Sequence, residues 1–354
     1  METLPSLQWL RKQNLYGQCN ILKSTLKKVF SNCLAVKDEK ILVVGDKGYL
    51  RSHVSSLLAG AYYLAADELK LNAKLIIQNV KPRGQKADDD LINALTDLEN
   101  GSIIIVNSSD KLGSIGEIGK SFRKYCLKRK FRFVSALSLG DLATSKVNDV
   151  VRAIDINYKE LQIRQNQIKA LLDDASEINI TTDNGTDFSA EIKGKIALSS
   201  DGDYAISGLG GNLPAGEVYI PPTNNVDGTI IIDGSTRNHK HTNIIKDPIK
   251  IIVKQGKIES IEGKEEANLL NRTLDWASHH SKRPGGIRRI GEIGIGFNPN
   301  ADIIGSTLVD EKALGTAHIG IGSNYWFGGD IYAIMHLDQI FKNPKIEVDG
   351  KPLF

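Results

Sequence analysis

The first half of the chain carries four runs of β-branched and other apolar residues, at 41–45, 75–78, 102–107 and 131–137, separated by longer stretches of helical periodicity near 53–69, 87–100 and 114–128. A strand that is apolar at nearly every position is covered on both faces, and helices between such strands supply the cover, so this pattern predicts βαβ units and a parallel sheet. The expected first domain is an α/β layer of Rossmann-like or flavodoxin-like type. Its first turn, Gly45-Asp-Lys-Gly48-Tyr-Leu, lacks the glycine spacing that brings backbone amides against a pyrophosphate, so the sheet reads as structural rather than nucleotide-binding.

A long charged helical segment follows at 149–176, readable as a connection between halves, a subunit contact or a solvated helix face. After Glu177 the texture changes to short β-type runs at 178–182, 187–192, 229–233 and 249–254, broken by Gly, Asn and Asp turns, with one clear helix at 265–279. The expected division is an α/β domain over 1–174, structural and able to dimerise, and an α+β domain with antiparallel sheet over 175–354. With 354 residues the chain exceeds the roughly 100–200 of a usual single domain, which agrees with two.

A net charge of +3 on so long a chain requires neither a nucleic acid nor a membrane partner. The start has no basic region leading into an apolar core, and the longest strongly apolar stretch is about half the ~20 residues of a membrane span. Cys19, Cys33 and Cys126 are odd in number and widely spaced, which fits small buried residues in a reducing setting. A cytoplasmic location is the expectation.

The chemistry gathers in the C-terminal third, in Gly291-Glu292-Ile-Gly-Ile-Gly296, Gly315-Thr-Ala-His318-Ile-Gly-Ile-Gly322 and Met335-His336-Leu-Asp338. Alternating apolar positions suggest strands, and glycine at intervening positions leaves room close to the backbone. In an extended His336-Leu-Asp338 the two polar side chains share one face. With His318 they offer imidazole and carboxylate, the mixture that suits zinc, cobalt, manganese or non-haem iron. Upstream, Gly208-Leu-Gly-Gly-Asn212-Leu-Pro-Ala-Gly216-Glu217-Val-Tyr-Ile-Pro-Pro222 delivers one carboxylate at the start of a short apolar run; read alone, it is a turn entering an edge strand.

The segment Asn212-Leu-Pro-x-Gly-Glu217-Val-Tyr-x-x-Pro222 resembles a signature of the thermophilic-type metallo-aminopeptidases, the aminopeptidase T and aminopeptidase S family. Gly291-Glu292-Ile-Gly-Ile-Gly, Asp310-Glu-Lys-x-x-Gly-Thr-Ala-His318-Ile-Gly-Ile-Gly, Tyr325 with Phe327-Gly-Gly329, and Ile334-Met-His336-Leu-Asp338 follow in that family's order. The resemblance implies a metallopeptidase domain in which Glu217, Glu292, His318, His336 and Asp338 hold two divalent ions of zinc, cobalt, manganese or magnesium, bridged by Glu292. It further implies Glu292 and Tyr325 as catalytic groups, a homodimer, and peptides with a free N-terminus as substrates. Two ions sharing a water lower its pKa and polarise the scissile carbonyl, while the Tyr325 hydroxyl would face the oxyanion. The N-terminal half matches that family only loosely.

Two other readings use the same residues. His318, His336 and Asp338 form the two-histidine, one-carboxylate set of a mononuclear Fe(II) oxygenase, and ring-cleaving dihydroxypyridine dioxygenases resemble these aminopeptidases. The other is a catalytically silent scaffold. Arg237-Asn-His239-Lys-His241, His279-His280 and the basic runs at 120–132 and 281–289 read as solvated loops and helix ends, the last placed to line a substrate channel.

Overall fold

The computed structural model describes residues 3–116 and 121–353, whose strands are numbered β1 to β19 in chain order. Two compact units result, Met1–Tyr158 with Gly202–Ala215, and Lys159–Asp201 with Gly216–Phe354. The division is therefore not a single cut at 174/175. The chain returns to the first unit at 202–215 because Gly210–Asn212 adds a strand there, which its glycine-rich sequence does not advertise.

In the first unit, β1 (Ile41–Asp46), β2 (Ala73–Gln78), β3 (Ile103–Asn107), β4 (Arg132–Ala136) and β8 (Gly210–Asn212) form a parallel sheet in the order β2-β1-β3-β4-β8. Every position of β1, β3 and β4 is buried, as two-sided cover demands. Helices Val54–Glu68, Asp89–Asp97 and Phe122–Arg129 occupy the expected intervals. Residues 117–120 of the third expected helix, and with them Lys120 of the first basic run, lie outside the described residues. Leu91, Leu95, Tyr125 and Cys126 pack on Leu42, Val44, Ile104 and Phe133 to make one core layer. Helices Thr3–Lys12 and Tyr16–Asn32 were not anticipated; the second buries Cys19, Leu22, Leu26, Val29 and Phe30 along one stripe. All three cysteines are free and buried. The segment expected at 149–176 is two helices, Val147–Ile154 and Tyr158–Asp174, parted where Asp155 leaves helical geometry.

The second unit contains two seven-stranded antiparallel sheets. One comprises β5 (Glu177–Thr181), β6 (Asp187–Glu191), β10 (Val226–Ile232), β13 (Ile249–Lys254), β14 (Lys257–Glu262), β18 (Lys345–Val348) and β19 (Lys351–Pro352), in the order β14-β13-β10-β6-β5-β18-β19. The other comprises β7 (Leu198–Ser200), β9 (Glu217–Ile220), β11 (Ser235–Arg237), β12 (Thr242–Ile244), β15 (Ile290–Gly296), β16 (Thr316–Gly322) and β17 (His336–Lys342), in the order β12-β11-β17-β16-β15-β9-β7. Alternation puts Val218, Ile220, Ile293, Ile295, Ala317, Ile319, Ile321 and Phe341 on one face of this second sheet, all buried. Phe341 meets Phe188 of the first sheet edge to face, with ring centroids 6.4 Å apart. Helix Glu265–His280 lies where the periodicity placed it. Among the described residues no helix is long and apolar enough to cross a membrane.

Candidate metal centre

The opposite face of the second sheet carries the polar set. Register places Glu217 beside Gly296, Gly294 beside His318, Gly320 between Glu292 and Asp338, and Gly322 beside His336. Cross-strand neighbours share a face, so ligand-type side chains and glycines alternate across four strands. The glycines are what let the side chains lie down over the sheet. A Cβ on Gly294 would stand 2.1 Å from His318 Nε2, and one on Gly320 would stand 2.6 Å from His336 Cε1 and 2.8 Å from Glu292 Cβ. This is why Gly-x-Gly repeats flank the acid and imidazole positions.

The five residues expected to hold metal come together. His318 Nε2 lies 3.1 Å from Glu292 Oε1 and 3.7 Å from Glu217 Oε2; His336 Nε2 lies 3.3 Å from Glu292 Oε2 and 2.8 Å from Asp338 Oδ1. Ligand atoms bound about 2.0–2.2 Å from one ion stand roughly 3 Å apart, so these spacings fit coordination. Two overlapping sets result, Glu217, Glu292 and His318, and Glu292, His336 and Asp338, each with ligand atoms within 4.8 Å of one another. His336 Nδ1 faces the Ser323 carbonyl oxygen at 2.8 Å, an arrangement in which Nδ1–H donates and Nε2 is aimed at the carboxylates, where it could offer its lone pair to a bound ion. His318 Nδ1 is buried without a hydrogen-bond partner among the described residues, so the Nε2 contact with Glu292 and packing on Gly294 hold that ring.

Charge is balanced within the cluster. Burial alone would raise Glu292 and Asp338, but the imidazoles, His336 above all and His318 with it, outweigh burial and hold both below the usual carboxylate range. Burial would lower His318, but the hydrogen bond and charge of Glu292, with Glu217, push it up to about 9. His336 is raised likewise, chiefly by Asp338 and Glu292 against the effect of burial.

Two residues of the cluster were not singled out from the sequence. Lys312, fully buried, places Nζ 2.5 Å from Glu217 Oε1 and also donates to the Glu311 carboxylate. Burial disfavours its ammonium, but the two carboxylates outweigh burial and raise its pKa, so the charge persists. The available signal was the charged run Asp310-Glu311-Lys312 set between Leu308-Val309 and Ala313, all buried.

Tyr325 stands apart from these contacts. It sits in the short helical turn Tyr325–Phe327, about half exposed, stacked on Tyr332 at 4.7 Å and edge-on to Trp326 at 6.0 Å. The rings that meet His336 are Trp326, at 5.1 Å between centroids, and Phe327, at 6.0 Å. Trp326 is 55% exposed, so an aromatic face lies open beside the one ligand-type side chain that is only partly buried.

The histidines set aside earlier stay out of the cluster. His239 Nδ1 pairs with Thr273 Oγ1 at 2.8 Å, and the ring stacks with Trp276, which also carries His280. In the second basic run, Arg288 pairs with Asp275, and the Arg283 guanidinium lies 5.7 Å above the Tyr332 ring.

A family model described as NicX, 2,5-dihydroxypyridine 5,6-dioxygenase, matches residues 148–354, which include every residue of the cluster. A solved structure of 2,5-dihydroxypyridine dioxygenase from Pseudomonas putida KT2440 superposes with a TM-score of 0.69 at 20% identity, covering 94% of each chain. Wild-type AmpT from Thermus thermophilus superposes with a TM-score of 0.62 at 13% identity, covering 94% of this chain and 97% of that one. At these identities the two structures establish the shared fold. No curated protein matches the chain.

Proposed function

Because the chain belongs to the NicX, 2,5-dihydroxypyridine 5,6-dioxygenase, family, we propose that it is a metal-dependent, ring-cleaving dioxygenase acting on a dihydroxylated nitrogen heteroaromatic with one Fe(II). The observation that carries this reading is the family match across the whole cluster from Glu217 to Asp338. His318, His336 and Asp338 carry the donor types of a two-histidine, one-carboxylate set, which would leave coordination positions open, and Glu292 links His318 to the His336–Asp338 pair. Iron in such a set supplies the one-electron chemistry with dioxygen that organic side chains lack.

The chain's own groups have definable tasks. Ser323 holds His336 in the tautomer that presents Nε2, and Gly294 and Gly320 seat the two rings. Glu292, which touches both imidazoles, is placed to accept the proton of a ring hydroxyl as substrate enters. Trp326 offers its open face to a planar ring beside His336. Peptide hydrolysis through two ions is the second reading, favoured by one observation: Glu292 is common to both three-residue sets, as a bridging carboxylate would be.

Anaerobic reconstitution with Fe(II), followed by oxygen-electrode measurement with 2,5-dihydroxypyridine, separates the two. One dioxygen consumed per ring cleaved, with no release of nitroaniline from aminoacyl-nitroanilides, is expected. Nitroanilide hydrolysis without oxygen uptake would overturn the dioxygenase reading.

A further inference from the structure

We propose that Lys312 is the centre's second cation, a covalently tethered positive charge that occupies Glu217 and so limits the cluster to one metal ion. This rests on the single-iron reading above and explains how five ligand-type side chains settle on one ion.

The two overlapping ligand sets are not equivalent. Among the described residues, Glu292, His336 and Asp338 have no ammonium or guanidinium within ion-pair distance, whereas Glu217 has Lys312 at 2.5 Å. The Lys312 side chain is 0% exposed, against 9% for Glu217 and 11% for Glu311, so solvent does not screen the contact. Burying an ammonium is unfavourable unless it is paired and hydrogen-bonded, and here two carboxylates do both. Glu311, adjacent in sequence, also accepts a hydrogen bond from the ammonium and so helps hold it in place.

For Glu217 the consequence is specific. Its Oε1 accepts from Lys312, and its Oε2 faces His318 at 3.7 Å, the longest of the four imidazole–carboxylate distances. An ion bound by Glu217, Glu292 and His318 would have to share Glu217 with the ammonium and lie close to it. Two cations so placed, in a buried site, repel strongly. The ammonium also offsets the negative charge of Glu217, the carboxylate that a second divalent ion would need.

The test is a count of ions by Co(II) titration calorimetry on metal-free protein, with metal per chain measured after gel filtration. The unaltered chain is expected to bind one Co(II). The double variant Lys312→Gln/Glu311→Gln removes the ammonium together with its second carboxylate partner, which frees Glu217, and is expected to bind two. Adding Glu217→Gln to it is expected to restore one. One ion in both the unaltered chain and the folded double variant would overturn the inference and leave the iron reading standing. Two ions in the unaltered chain would overturn both. Should the double variant not fold, Glu217→Gln alone decides: Co(II) affinity within about tenfold of the unaltered chain supports the inference, and a larger loss overturns it.

Discussion

Replacing Gly294 by alanine tests the packing from which the whole centre is built. The added Cβ would lie 2.1 Å from His318 Nε2 and 2.2 Å from Cε1, against an ordinary carbon contact of about 3.5–4.0 Å. The ring must therefore retreat by more than about 1 Å. His318 is wholly buried on β16, paired on one side with β15 and on the other with β17, so retreat means leaving its rotamer well rather than swinging into solvent. Overpacking of this kind costs about 1–3 kcal/mol, and with it several degrees of Tm. A displacement of 1 Å exceeds the ~0.5 Å within which a metal constellation works, so Co(II) affinity should fall on the order of 100-fold. Titration calorimetry and thermal melts read both effects. Gly285→Ala, where nothing lies within 4 Å of the new methyl, is the control and should change neither. Unaltered metal affinity in a Gly294→Ala variant that melts like the parent would refute the claim that His318 lies against that glycine.

Lys312→Met should destabilise the protein by about 3–5 kcal/mol by leaving Glu217 and Glu311 buried and uncompensated, which urea unfolding monitored by circular dichroism will measure. Trp326→Ala should weaken binding of 2,5-dihydroxypyridine about fivefold to tenfold, from the ~1 kcal/mol of a lost stacking face, with Co(II) stoichiometry unchanged; equal ligand affinity by calorimetry would remove Trp326 from the substrate face. Asp310 is raised from 3.8 to about 6 by burial, so its folded form holds a proton more tightly than the unfolded chain. The stability this contributes is present at low pH and declines as pH rises from about 4 to 6, a loss of about 3 kcal/mol. Asp310→Asn should flatten the Tm profile across that window, and an unchanged profile would contradict the assignment.

Much of the fold was legible because burial leaves a simple trace. Runs such as Ile41–Val44 and Ile103–Val106 are apolar at consecutive positions, and only a sheet covered on both faces uses such strands. Gly210–Asn212 was not legible, since three small or polar residues carry no periodicity; their strand character comes from pairing with Phe133–Ser135. The N-terminal helices were missed because Tyr16–Asn32 mixes lysines with its buried stripe over most of its length. In the site, His318, His336 and Asp338 stood out as chemistry-bearing residues among glycines and isoleucines. Lys312 did not, because a sequence shows a charge but not whether it is solvated.

That difference bears on which of the two proposed chemistries this ligand set would support. The glycine-spaced face of β15, β16 and β17 fixes where Glu292, His318, His336 and Asp338 point, and this geometry alone is compatible with one ion or two. What distinguishes the outcomes is the charge that Glu217 retains. A free carboxylate at the edge of the cluster draws a second divalent ion, and an activated water between two ions is hydrolytic. A carboxylate already bound to a buried ammonium draws none, and a single ion keeps open positions for dioxygen and a ring hydroxyl. On the proposal above, the reaction class would turn on a lysine that need not touch the substrate, and metal counting in Lys312 variants tests that dependence directly.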